Sequence, residues 1–149
     1  QEAMIGQYAH GNEPSHHIVY LYAFSNRPKT GQKYIHKIIN TFHDNSPKGM
    51  IGNDDCGQMS AWYILSTLGF YPVNPSNGEF IMGSPQVKKA VIQINHQQTF
   101  TIKAKNFSKK NIYQEHPSLN NVKIENSIVR YNEIMKGGTL IFRMTKKIN

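Results

Sequence analysis

The chain has 149 residues and a net charge of +8, from 17 Lys+Arg against 9 Asp+Glu. That length suffices for one ordinary domain with a real core. The basic residues are scattered, with pairs at Lys88-Lys89, Lys109-Lys110 and Lys146-Lys147, so a solvated surface outweighs a nucleic-acid partner.

Cys56 is the only cysteine, which excludes an internal disulfide and a secreted disulfide scaffold. No apolar run is long enough to span a bilayer. No signal peptide is visible at Gln1, and the chain does not begin with Met. The expectation is a piece of a longer protein whose beginning lies upstream.

Residues 1–10 carry little signal. Gly11-Asn12-Glu13-Pro14-Ser15-His16-His17 follows. Pro14 suits the first turn of a helix, with Asn12 or Glu13 as its cap. Ile18, Leu21 and Tyr22 recur at helical spacing, which predicts a short helix to about Phe24. Asn26-Arg27-Pro28 ends it. Thr30 is a good N-cap for a second helix, with Tyr34, Ile35, Ile38, Ile39 and Phe42 along one face. The loop Asp44-Asn45-Ser46-Pro47-Lys48-Gly49 is rich in turn residues.

It leads into Gly52-Asn53-Asp54-Asp55-Cys56-Gly57-Gln58-Met59-Ser60-Ala61-Trp62-Tyr63. Here two carboxylates sit between glycines, just before an apolar helical pattern that runs to about Leu68. Asp55 or Cys56 is placed to cap that helix. Its N-terminal N–H groups favour charged carboxylates. Adjacent carboxylates repel, and a proton or a cation resolves the conflict. The turn can therefore hold a general base, a hard metal ion, or both. Most Asp-Asp pairs in loops are plain solvated turns or caps, so the pair alone decides nothing. Gly69 stands where a C′ glycine is expected.

After Gly69 the texture changes. Phe70-Tyr71-Pro72-Val73-Asn74-Pro75 cannot continue a helix. Val91, Gln93 and Asn95 alternate with Ile92 and Ile94. Phe100, Ile102 and Ala104 alternate with Thr101, Lys103 and Lys105. Val122 and Ile124 suggest a further strand, and Ile128 to Tyr131 another. Gly137-Gly138 marks a turn before Leu140, Phe142 and Met144. The fold class expected is α+β: a helical part over 1–71, then a linker and antiparallel strands over 72–149.

Asn12, Glu13, Asp54 and Asp55 offer oxygen donors of the kind calcium takes, but only part of its shell, and nothing matches an EF-hand. His16-His17 lacks zinc spacing. Packing or contact with a substrate suits those histidines better. Cys56 has no visible activating partner, so a buried thiol is expected. Trp62 is expected in the core. Asn106-Phe107-Ser108 is a glycosylation sequon that matters only in a eukaryotic secretory setting.

The two polar blocks, with Tyr20-Leu21-Tyr22 after the first and Leu68-Gly69-Phe70-Tyr71-Pro72 after the second, resemble signatures of glycoside hydrolase family 92. Tyr113-Gln114, Leu119-Asn120 and Gly137-Gly138-Thr139-Leu140 are similar too. Asn120-Asn121 departs from the family's Asn-Gly, although Asn tolerates positive φ.

The resemblance implies the C-terminal part of an inverting, calcium-dependent exo-α-mannosidase acting on mannose-containing glycans, with α-1,2 linkages expected. It implies the last helices of an (α/α)6 barrel, then β-strands of a β-sandwich. The base falls at Asp55, with Asp54 as the alternative. Asn12, Glu13 and Asp55 would hold Ca2+, and Glu13, His16 and His17 would face the sugar. The family's acid motif lies upstream of the first block. The remainder of the parent polypeptide is thus an expected partner, and the piece alone is expected to be inactive. A secreted, periplasmic or cell-surface parent is implied. The competing reading is a non-catalytic carbohydrate-binding or interaction module derived from the same fold.

Overall fold

The computed structural model describes residues 4–147. Within them the architecture is α+β, with helices before residue 69 and mostly strands after it. The short strands β1 (Met4–Ile5) and β2 (Tyr8–Ala9) form an antiparallel hairpin. Glu13–Ser15 and Ile18–Phe24 follow as 3-10 helices. The expected first helix is therefore present but more tightly wound, as short connecting pieces often are.

Helix α1 (Pro28–Phe42) starts two residues before the expected Thr30 cap, with Arg27 at the cap position. The fixed φ of Pro28 suits a first helical position. Its buried residues include Ile35, Ile38 and Ile39, as the spacing requires. Helix α2 (Gln58–Leu68) is capped by Gly57, not by Asp55 or Cys56. The reason is backbone conformation: Asp55, Cys56 and Gly57 have φ of 44°, 60° and 89°. Three left-handed residues in a row delay the helix until they end. Gly69 closes α2 at φ 103°, its N–H pointing at the Leu65 and Ser66 carbonyls, as a C′ glycine should.

The rest is β3 (Phe70–Tyr71), β4 (Glu79–Met82), β5 (Lys89–Gln93), β6 (Thr99–Lys105), β7 (Tyr113–Leu119), β8 (Val122–Lys123), β9 (Ile128–Arg130), the one-turn helix α3 (Tyr131–Met135) and β10 (Gly138–Thr145). Two sheets form, ordered β3-β4-β9 and β5-β6-β10-β7-β8. The all-antiparallel expectation is corrected at one place: β10 runs parallel to β6 and antiparallel to β7. Alternation fixes which face is buried, not which strand is the neighbour. Tyr131, expected in a strand, opens α3, where the Glu133 carboxylate accepts the Arg130 N–H at 2.7 Å. Asn120 and Asn121 both take positive φ, 50° and 68°, so the tight β7–β8 turn survives without glycine.

Phe100, Ile102, Leu140 and Phe142 are fully buried and centre one core on the larger sheet. A second core joins Tyr20, Ile35, Ile38 and Trp62 to Tyr71 and Ile81. Leu65 of α2 packs on both. Among the described residues no helix is long and apolar enough to cross a membrane.

Candidate active site

The first polar turn hangs from the β1–β2 hairpin. The Ser15 hydroxyl lies 3.1 Å from the Ala9 carbonyl and 2.8 Å from that of Asn12. The Ser15 N–H donates to Asn12 O at 2.9 Å, and the His16 N–H to Glu13 O at 3.0 Å. Asn12 stands at the cap position without a side-chain hydrogen bond to the backbone. Its amide N–H points instead at Ser15 Oγ, 3.4 Å away.

The second turn is tied to the start of α2. Gln58 and Met59 donate their N–H groups to Asp55 O and Asp54 O, both at 3.2 Å. Asp54 Oδ1 accepts the Ser60 N–H at 2.9 Å. Asp54 thus makes the capping bond expected of Asp55, and Asp55 is left exposed.

The two turns touch. A Cβ added to Gly52 would lie 3.4 Å from the Gly11 Cα, and Gly52 has φ +73°. A Cβ there would only touch the first turn, and the cost of a side chain would come from the left-handed backbone that L-residues avoid. Across this contact the Asp55 carboxyl comes within hydrogen-bonding reach of Glu13. That hydrogen bond and the Glu13 charge hold the Asp55 carboxyl above the usual carboxylate range, with a smaller push from Asp54.

Among the described residues no N–H group donates to the side-chain oxygens of Asn12, Glu13 or Asp55. Two facing carboxyls and an amide oxygen that take no N–H donor suit a hard cation once both carboxyls are ionised. No group of three His, Cys, Asp or Glu side chains is placed to hold a metal among the described residues. The side chains of this turn alone therefore do not make a closed metal site, and water, carbonyls or other protein groups would have to complete one.

His16 lies deeper than expected of a residue facing a sugar. It is 1% exposed, and both ring nitrogens are engaged. Gln58 donates to Nδ1 at 3.2 Å. The ring's Nε2–H donates to the His10 carbonyl at 2.9 Å. Trp62 Nε1–H donates to the His16 carbonyl at 3.0 Å. Packing, not ligand contact, is where the structure puts this ring, and burial lowers its pKa. His17 is half-buried. Trp62 is fully buried, as expected. Cys56 is exposed on the left-handed turn, which corrects the expected buried thiol.

Sequence reasoning missed His10 and His43. His10 is fully buried, its ring 4.8 Å from that of His16 and 4.4 Å from that of Trp62. Its Nδ1 meets the Tyr8 hydroxyl at 2.9 Å and its Nε2 meets His43 Nε2 at 3.1 Å. Burial first, then neighbouring histidines, push the His10 pKa down to about 3 and that of His43 to about 4. Both rings are neutral, so Tyr8 to His10 to His43 can run as one directed chain of donors. The available signal was that three of the seven histidines flank or lie in the first block, at 10, 16 and 17, while nothing in the sequence tied His43 to them.

Against known proteins, the catalytic-domain model of glycosyl hydrolase family 92 matches residues 1–146. The chain is similar to a family 92 α-mannosidase from Bacteroides thetaiotaomicron, solved with mannoimidazole: 40% identity and a TM-score of 0.93, over 99% of this chain and 20% of that one. An inverting family 92 mannosidase from the same organism is 33% identical, with a TM-score of 0.86, over 95% of this chain and 19% of that one. A protein of Arthroderma benhamiae named an uncharacterized secreted glycosidase is 31% identical over 92% of this chain and 18% of its own length. The chain spans about a fifth of the length of these relatives.

Proposed function

The chain belongs to glycosyl hydrolase family 92, and from that premise we propose that it supplies the base-bearing part of an inverting, calcium-dependent exo-α-mannosidase. The substrate is a glycan ending in α-linked mannose, with α-1,2 linkages preferred. In the parent enzyme, residues 1–71 form the last helices of an (α/α)6 barrel and residues 72–149 the closing β region. Secretion, or display at the periplasm or cell surface, fits a protein that meets such glycans.

Inversion needs an acid on one face of the sugar and a base activating water on the other. Asp55 is the base. It is exposed and faces Glu13, whereas Asp54 is tied to the start of α2 through its hydrogen bond with Ser60. As water attacks the anomeric carbon, the Asp55 carboxylate accepts its proton. The remainder of the parent polypeptide supplies the acid that protonates the leaving oxygen. Asn12 and Glu13, with Asp55 beside them, would hold Ca2+, which when bound offsets the paired negative charge and offers coordination to sugar hydroxyls. His17, half-buried next to this turn, and Glu13 border the sugar site.

One observation carries this reading: Glu13 and Asp55, 42 positions apart in the numbering, meet across the Gly11–Gly52 contact. Mannosidase assays of the parent with Asp55→Asn and with Asp54→Asn test it. Loss with the first and retention with the second is the expected result. Full activity in Asp55→Asn removes Asp55 from the base role.

A further inference from the structure

We propose that the hydrogen bond from Gln58 to His16 is the positioning contact that sets the spacing of Glu13 and Asp55, and so the affinity of their turn for a divalent cation; this rests on the calcium reading above. Gln58 sits three residues after Asp55 and donates its backbone N–H to Asp55 O at 3.2 Å. His16 sits three residues after Glu13 and donates its N–H to Glu13 O at 3.0 Å. Each carboxylate is thus one short turn away from the same side-chain contact. Gln58 Nε2 reaches His16 Nδ1 at 3.2 Å and the Tyr71 hydroxyl at 2.8 Å. Both amide hydrogens are used, so the side chain has one orientation.

The His16 ring is held from its other nitrogen by the His10 carbonyl at 2.9 Å. That bond requires the proton on Nε2 and leaves Nδ1 as the acceptor Gln58 needs. Trp62 grips the carbonyl of the same residue at 3.0 Å. Helix α2 therefore holds the first turn at two points, ring and backbone, on one residue. Tyr71 anchors the far side of the amide. It is buried and stacks on Tyr20, ring centroids 5.3 Å apart, and the Tyr20 hydroxyl donates to Ser66 of α2 at 2.7 Å. The network starts and ends on α2, so it fixes the first turn against the second rather than against solvent. A supporting shell of this kind orients metal ligands without touching the metal.

The test is calorimetric titration of calcium chloride into the calcium-stripped parent enzyme, with unfolding midpoints measured without calcium as the structural baseline. Gln58→Met, close in shape but without a donor, is expected to weaken calcium binding by roughly tenfold or more. Tyr71→Phe, which only unties the amide, is expected to weaken it by less. A lowered calcium-free midpoint with an unchanged calcium Kd in Gln58→Met makes the contact merely structural and overturns the inference. Should Gln58→Met not fold, an unchanged Kd in Tyr71→Phe overturns it. Asp55→Asn and Glu13→Gln separate this from the calcium reading. If both bind calcium normally, the reading itself fails; if they lose binding while Gln58→Met keeps it, only the positioning role fails.

Discussion

The two cores of this chain are held in different ways. The core on the larger sheet is apolar throughout, with Phe100, Ile102, Leu140 and Phe142 fully buried. The helical part packs Trp62 and Tyr20 against a buried polar network. His10, Ser15, His16, Gln32 and Ser66 are buried there, against Ser84 and Gln114 in the strand region. Burying hydrogen-bonded polar groups adds little net stability, but orphaning one costs the full desolvation penalty. The strand core tolerates small changes in geometry, while the helical network accepts one arrangement or breaks. The candidate site sits on the network side, where a fixed arrangement is useful.

The largest expected effect tests whether chemistry belongs to that side alone. Asp55→Asn in the parent enzyme should lower kcat by about 10²–10⁴-fold, the usual contribution of a general base. Phe142→Ala should do the converse. Truncating a fully buried phenylalanine costs about 3–5 kcal/mol of stability, read from denaturant midpoints. Calcium affinity of the folded fraction should not change. A Phe142→Ala variant with weakened calcium binding would show that the two cores are not separable in function.

A smaller effect sharpens the contrast through pH. His10 and His43 are neutral in the fold, with pKa values pushed down to about 3 and about 4. Unfolded, each titrates near ~6.5. Between these values the unfolded chain binds more protons, so stability present above about pH 6.5 is lost as pH falls. Each histidine can add up to about 1.4 kcal/mol per pH unit to that slope. Urea midpoints followed from about pH 7 down to about pH 5 should fall, and His10→Phe should flatten the fall. A flat wild-type profile would mean that the network is open to water.

The strand region was legible where burial alternates. Phe100, Ile102, Ala104, Leu140, Phe142 and Met144 face inward as their spacing demands. Strand β7 was not legible, because Tyr-Gln-Glu-His-Pro-Ser-Leu has neither clean alternation nor β-branched residues. The parallel partnership of β6 and β10 was not legible either, since period two carries no information about neighbours. At the site, the two turns and Glu13 opposite Asp55 were legible as motifs. That Asp54 rather than Asp55 makes the capping bond was not, because it depends on the left-handed run from Asp55 to Gly57. Nor was the His10–His43 contact, whose partners lie 33 residues apart.

The smallest effects concern the seam between the two regions. Lys29 of α1 reaches Glu115 of β7 at 2.9 Å, with the two side chains 18% and 31% exposed, and also the Lys147 carbonyl at 3.1 Å. One turn along α1, Gln32 Oε1 accepts the buried Gln114 N–H at 2.9 Å. Lys123 and Glu125 are equally close, at 2.8 Å, but 56% and 77% exposed. Water screens the second pair more than the first, so the distances alone mislead. A double-mutant cycle on Lys29 and Glu115 should give a coupling of about 1 kcal/mol, and one on Lys123 and Glu125 less than about 0.5 kcal/mol. Equal couplings would mean that charge contributes nothing special at the seam. Leu65, which packs on both cores, would then be the residue that joins them, and Leu65→Ala the substitution that loosens one against the other.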